Sequence, residues 1–122
     1  MSVERLDEVS DRLIAALPEL TKAFEDYCEE WKDNLPGAYN IACDVLMPAV
    51  TGWLETPASE ALLRRLFSFV EELASDLDQD VRDFTQEGIV NALAQHEKWV
   101  EAARPYMGPR TLFMLSRSGT VG

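Results

Sequence analysis

Apolar residues recur along the chain at intervals of three, four and seven positions. No stretch alternates with the period of two that a half-buried strand needs, so the pattern predicts an all-α fold. A first helix is expected from Ser2 to Leu17, with Val3, Leu6, Val9, Leu13 and Leu17 on its inner stripe and Asp7, Glu8, Asp11 and Arg12 outside. Pro18 stops it and suits the first position of a second helix. There Leu20, Phe24, Tyr27, Cys28 and Trp31 fall at offsets of four, seven, eight and eleven, one continuous apolar face, and Phe24 and Trp31 are expected in the core. Glu25, Asp26, Glu29, Glu30 and Asp33 take the remaining positions and make the opposite face anionic.

Asn34-Leu35-Pro36-Gly37 reads as a turn. Beyond it Tyr39, Ile41, Ala42, Val45, Leu46, Val50 and Trp53 predict a third helix buried on much of its circumference. Pro48 lacks an amide hydrogen and its ring collides with the carbonyl of Asp44, which predicts a kink or break. Thr56-Pro57 reads as N-cap and first-turn proline of a fourth helix, which turns Leu63, Leu66, Phe67, Val70 and Leu73 inward and ends near Ala74. Phe69 lies off that stripe, either meeting another helix or standing as an exposed anchor for a partner.

A fifth helix is expected from an aspartate between Asp76 and Asp80 to about Ala94, with Val81, Phe84, Gly88, Ile89, Ala92 and Leu93 inward. Gly88 costs about 1 kcal/mol of helix propensity relative to alanine, so it marks close approach by another helix backbone. A sixth helix follows from His96 to Met107 through Trp99, Val100, Ala103 and Tyr106. Gly108-Pro109 then opens a short last one carrying Leu112, Phe113 and Leu115. The sum is a single helical domain over residues 1–115 and a flexible tail over 116–122. Its six to seven helices form an antiparallel bundle or HEAT-like stacked helical hairpins. The second arrangement has local support, because Leu73-Ala74-Ser75-Asp76 followed by Asp78-Gln79-Asp80-Val81-Arg82 resembles the turn between the helices of a HEAT repeat.

Composition changes the picture chiefly through charge. Twenty-two acidic side chains face eleven basic ones, a net charge of -11 that repels nucleic-acid phosphates and anionic lipid headgroups and suits a basic protein partner. The charge is segregated: residues 1–33 and 71–87 each carry a balance of -6, and residues 98–122 a balance of +3. No apolar run approaches the roughly 18 to 20 residues a bilayer requires, and Met1-Ser2-Val3-Glu4-Arg5 has no leader-like character. A cytoplasmic protein without membrane or nucleic-acid partners is expected. Cys28 and Cys43 are read as reduced core residues.

Candidate chemistry is sparse. Asp76, Asp78, Asp80 and Glu87 match positions one, three, five and twelve of a calcium loop. Val81 stands where that loop needs glycine, however, and the charged Asp83 stands at an apolar position, so an aspartate-rich N-cap explains the run better. His96 is the lone histidine, no nucleophile elbow or glycine-rich phosphate loop occurs, and Glu29-Glu30 and Glu71-Glu72 point about 100° apart on their helices. No catalytic residue, metal ligand or cofactor is therefore assigned. The residues proposed to meet a partner are Glu25, Asp26, Glu29, Glu30, Asp33, Asp76, Asp78, Asp80, Asp83 and Phe69. An adaptor, a homo-oligomeric structural protein, or an enzyme with a carboxylate-lined pocket are the competing readings.

The second half of the chain carries a resemblance. Phe67-x-Phe69-Val70-Glu71-Glu72-Leu73-Ala74 with Asp80-Val81, Tyr106-Met107-Gly108-Pro109-x-Thr111, and the earlier Asp44-Val45-Leu46-x-Pro48 are similar to a family of small acidic all-helical bacterial proteins found beside toxin genes and regarded as immunity proteins. The resemblance spans about residues 18–115. It implies a non-catalytic protein that neutralises a cognate, basic toxin by binding it.

Overall fold

A computed structural model of the chain describes residues 2–31, 37–56 and 59–118, with the backbone alone for 2–7 and 38. Seven helical rods run through these residues, and no strand occurs among them. Helix α1 (Ser2–Ala16) buries Val9 and Leu13, and Leu17 closes it with no exposure at all. The side chains of Val3, Leu6 and Asp7 lie outside the described residues. Pro18 begins a 3-10 turn, Pro18–Leu20, that leads directly into α2 (Thr21–Trp31), as a proline with a preset φ allows.

The clearest apolar stripe in the sequence reaches the core only in part, through Leu20 and the inner sides of Phe24 and Tyr27. No residue of α2 is buried: Phe24, Tyr27 and Cys28 are half-covered, and Trp31 retains 36% of its surface. The physical reason is that α2 rests on the turn before it and on one segment of the next rod, which leaves the far edge of its apolar face open.

That next rod carries the first irregularity. Helix α3 (Ala38–Ile41) continues through a π-helical turn, Ala42–Leu46, into α4 (Met47–Leu54). The amide of Met47 reaches the carbonyl of Ala42, five residues back, and Pro48 falls in the first turn of α4. A widened turn thus stands where a kink or break was expected, and it places the proline where a missing amide hydrogen is tolerated. Ile41, Ala42, Val45, Leu46 and Val50 are buried, whereas Tyr39 is 40% exposed and Cys43 is exposed on the π turn. With Cys28 only half-covered, neither cysteine is a core residue.

Pro57 and the turn at 34–36 lie outside the described residues. The hydroxyl of Thr56 donates back to the carbonyl of Gly52 at 2.8 Å, and Ser59 is the residue that precedes α5 (Glu60–Ala74), so Thr56 does not cap that helix. α5 is the axis of the fold. Helices α1, α4, α6 and α9 all pack on it, so it is buried on more than the predicted stripe of Leu63, Leu66, Phe67, Val70 and Leu73. Phe69, at 5% exposure, faces Val9, Leu13, Ile41, Leu46 and Phe84 across a small apolar void. It is a core residue, not an exposed anchor. The helices gather round α5 as a bundle.

Asp78 opens α6 (Gln79–Phe84), which runs through a second π-helical turn, Thr85–Val90, into α7 (Asn91–Leu93). Within it the fully buried Thr85 hydroxyl donates to the carbonyl of Val81 at 2.8 Å, and Asn91 reaches back to Gln86. Gly88 makes room for rings rather than for a helix backbone. A Cβ there would lie 3.2 Å from Cε1 of Phe84 and 3.6 Å from Cδ1 of Tyr39, two rings that meet edge to face at 5.2 Å.

Helix α8 (Glu97–Ala103) tightens into a 3-10 turn, Arg104–Tyr106, where Tyr106 stacks on Phe67 with centroids 6.5 Å apart. Helix α9 (Pro109–Ser116) follows Gly108 and buries Thr111, Met114 and Leu115, while Leu112 and Phe113 stay exposed. Ser116 therefore belongs to the last helix rather than to a tail, and residues 119–122 lie outside the described set.

Candidate partner-binding surface

Two groups of carboxylates and one buried latch carry the polar organisation of the fold. On α2, Glu25, Asp26, Glu29 and Glu30 are exposed. Asp26 pairs with Lys22 on the same helix at 3.2 Å, and Glu25, Glu29 and Glu30 form no ion pair with any described residue. Asp33 lies outside the described residues. Beside this face the Tyr27 hydroxyl donates to Oδ2 of Asp44 at 2.5 Å, and the Tyr27 ring meets Trp31 edge-on at 5.9 Å. The bond to Asp44, backed by partial desolvation and the charges of Asp44 and Glu30, raises the Tyr27 phenol above its ordinary value.

The second group divides by function. Asp76 is buried, its side chain 2% exposed, and it accepts from the Asp78 amide at 2.9 Å and from Nη1 of Arg12 at 3.2 Å. Asp78 in turn accepts from the Asp80 amide at 2.8 Å, the N-cap bond of α6. Arg82 locks the turn from the other side, donating through Nη1 to the Asp76 carbonyl at 2.5 Å and through Nη2 to Oε1 of Gln79 at 2.7 Å. Asp76 and Asp78 thus each commit one oxygen to a backbone amide of the turn, and Asp76 gives its other to Arg12, so both serve the framework of the turn.

Asp80, Asp83 and Glu87 remain. They surround Tyr39, whose hydroxyl donates to Oε1 of Glu87 at 3.3 Å. Partial burial, then the Glu87 carboxylate, then Asp83 and Asp80 raise the Tyr39 phenol. Leu77, between the two framework aspartates, is 94% exposed. Neither Tyr39 nor Leu77 stood out in the sequence. Leu77 had a readable signal, since it lies in a turn off every helical stripe, while Tyr39 was hidden inside an apolar-rich run. The two acidic groups sit on different supports: α2 leans on the first π turn, and α6 packs on α1 and α5.

A cleft of about 500 Å³ lies between α5 and the turn before α9, lined by Glu60, Arg64, Ser68, Glu71, Glu72, Pro105, Tyr106 and Gly108. Its most constrained carboxylate is held by three donors from α9. Glu71 accepts from the amides of Arg110 and Thr111, both at 3.0 Å, and from the Thr111 hydroxyl at 2.9 Å. Burial pushes its pKa up, but the bonds from Thr111 and Arg110 and the Arg110 charge outweigh that and leave it below the ordinary carboxylate value. Gly108 is what permits the approach, since a Cβ there would fall 2.5 Å from Oε1 of Glu71. The Phe67-to-Ala74 run and the Tyr106-to-Thr111 run, separate in sequence, are therefore the two halves of one latch. No helix among the described residues is long and apolar enough to cross a membrane.

These features define a small all-α domain whose most distinctive residues join its central helix to its last one. The chain belongs to the family described as domain of unknown function DUF7674, whose profile matches residues 10–117. Neither a curated protein nor a solved structure matches it.

Proposed function

We propose that this chain is a non-catalytic protein-binding domain that engages a basic protein, in the manner of an immunity protein neutralising a toxin. The observation that carries the reading is that a part-exposed aromatic ring lies near each acidic group. Trp31 stands at the open edge of the apolar face of α2, the helix that carries Glu25, Glu29 and Glu30, and Tyr39 bonds Glu87 while the charges of Asp83 and Asp80 act on its phenol. Rigid aromatic anchors within a charged surround match the anatomy of interface hot spots, and uncompensated carboxylates speed encounter with a basic surface. The role of Glu71 also favours binding over catalysis, because a carboxyl held below its ordinary pKa by three donors is poorly suited to general acid chemistry.

The reading is tested with the protein encoded beside this one. Mixed at micromolar concentration, the two should elute as one complex on size exclusion. Tyr39→Ala and Trp31→Ala should each weaken that complex at least about tenfold, the scale of a hot-spot residue, with circular dichroism unchanged. Absence of a complex, or full affinity in both variants, would overturn it.

A further inference from the structure

The basic residues of the C-terminal segment do not scatter over the surface. Arg110 of α9 and Arg117, just past its end, meet Arg82 of α6 around a cleft of about 170 Å³, with Gln86, Phe113 and Met114 among its other walls. We propose that this cleft binds a single carboxylate side chain of an acidic peptide segment, with an apolar neighbour of that side chain resting on Phe113.

Three properties lead to that ligand. Arg82 is already aimed: two of its five N–H donors are taken by the Asp76 carbonyl and Gln79, which fixes the guanidinium and leaves the others available without further ordering. The Arg117 guanidinium lies 5.6 Å from the centroid of Phe113, a cation–π contact that holds the side chain over the ring and leaves its N–H edge to bond. Arg110 and Arg117 form no ion pair with any described residue, although the chain carries twice as many acids as bases.

The surroundings select the size and chemistry of the partner group. Phe113 is 58% exposed, an apolar surface beside cations that favours a carboxylate next to an apolar residue over a bare ion. Asp83 also lines the cleft, and residues 71–87 carry a balance of -6. Three arginines against one aspartate leave the cleft cationic enough for a single carboxylate, whereas a polyanion would also meet the wider acidic surround within a Debye length of about 8 Å. This disfavours nucleic acid and fits one acidic side chain.

The probe is an acetylated, amidated pentapeptide with a central glutamate flanked by leucines, titrated into the ¹⁵N-labelled chain. Saturable shifts should cluster on the amides of α6 and α9, and the glutamine-centred peptide should bind at least about tenfold more weakly, the loss of one charge-assisted contact. Arg110→Gln with Arg117→Gln should cause a comparable loss while circular dichroism stays unchanged, because α9 is held by Glu71 through backbone amides and the Thr111 hydroxyl rather than by these side chains. Phe113→Ala should weaken the glutamate peptide. The proposal is overturned by equal binding of both peptides, by inorganic phosphate binding as tightly as the peptide, by full affinity in the arginine variant, or by no binding. Self-association lost in the same variant would assign the cleft to a second copy and overturn it as well. None of these outcomes bears on the acidic faces, so the two readings fail separately.

Discussion

The Glu71 carboxylate caps α9 from another helix, taking both the amide and the hydroxyl of Thr111 on one oxygen at 3.0 and 2.9 Å. Helix α9 starts at Gly108-Pro109, and glycine offers no side chain to satisfy the first amides of the helix. α5 supplies the missing acceptor, already ionised and placed at the positive end of the helix dipole.

Loss of that cap should be costly. Glu71→Gln should destabilise the fold by about 1 to 3 kcal/mol at neutral pH, the range for hydrogen bonds to a charged group, measured as a shift in urea midpoint. The folded carboxyl titrates below its ordinary value, so its contribution is fully present above about pH 4.5 and is lost as pH falls through the lower folded value. The gap between wild type and Glu71→Gln should therefore narrow at pH 3. A gap independent of pH would mean that the charge does not matter.

Gly108→Ala should destabilise for a different reason: its Cβ would displace Glu71. The two changes share one contact and should not add. In a Glu71→Ala background, Gly108→Ala should cost at least about 1 kcal/mol less than in the wild type, a coupling of the size expected for residues in contact. Additive midpoint shifts would rule out the latch.

Core and surface helices should respond unequally to truncation. Phe67→Ala, at the centre of the bundle, should cost about 3 to 5 kcal/mol. Trp31→Ala, on a helix with no buried residue, should cost about 1 kcal/mol or less. Similar losses in chemical denaturation would place α2 in the core after all.

Val9, Leu13 and Leu17 of the α1 stripe, the inner stripe of α5, an aspartate cap between Asp76 and Asp80 and the proline starts before α2 and at α9 were legible because each follows from one periodicity or one backbone rule. Burial of α2 was not, since a hydrophobic stripe states what a helix can cover and not whether a second layer exists to cover it. Phe69 shows the converse: an off-stripe residue is buried when its helix is surrounded, which depends on tertiary neighbours. The two π turns escaped for a related reason, because an i to i+5 bond leaves the apolar pattern nearly unchanged. Among the candidate residues, spacing singled out the aspartates of the 76–83 run as a group. It did not separate the two committed to the turn from the two facing outward, since that division depends on Arg12, sixty-four residues away from Asp76.

That long-range pair supplies its own test. Arg12→Ala should destabilise by about 1 to 3 kcal/mol, because it deprives a buried carboxylate of a donor. Arg65→Ala breaks an exposed pair with Glu19 and should change stability by less than about 1 kcal/mol. Equal midpoints for the two variants would contradict the structural role given to Asp76.

Tyr27 and Tyr39 report the acidic faces directly. Ultraviolet titration should place both phenols above their ordinary value near 10. Glu87→Gln should lower Tyr39 alone, and Asp44→Asn should lower Tyr27 alone. Unshifted phenols, or a common response to either change, would remove the distinction between the two faces.

The central claim is that the carboxylates of these faces guide a basic protein to the surface, and stopped-flow association with the protein encoded beside this one tests it most directly. Wild-type association should slow steeply as ionic strength rises, since steering acts within a Debye length of about 8 Å at physiological salt. Glu25→Lys with Glu29→Lys and Glu30→Lys should slow it at low salt, while Lys98→Glu in the basic segment should leave it unchanged or faster. Rates insensitive to salt, or equal effects from the acidic and basic reversals, would contradict the account.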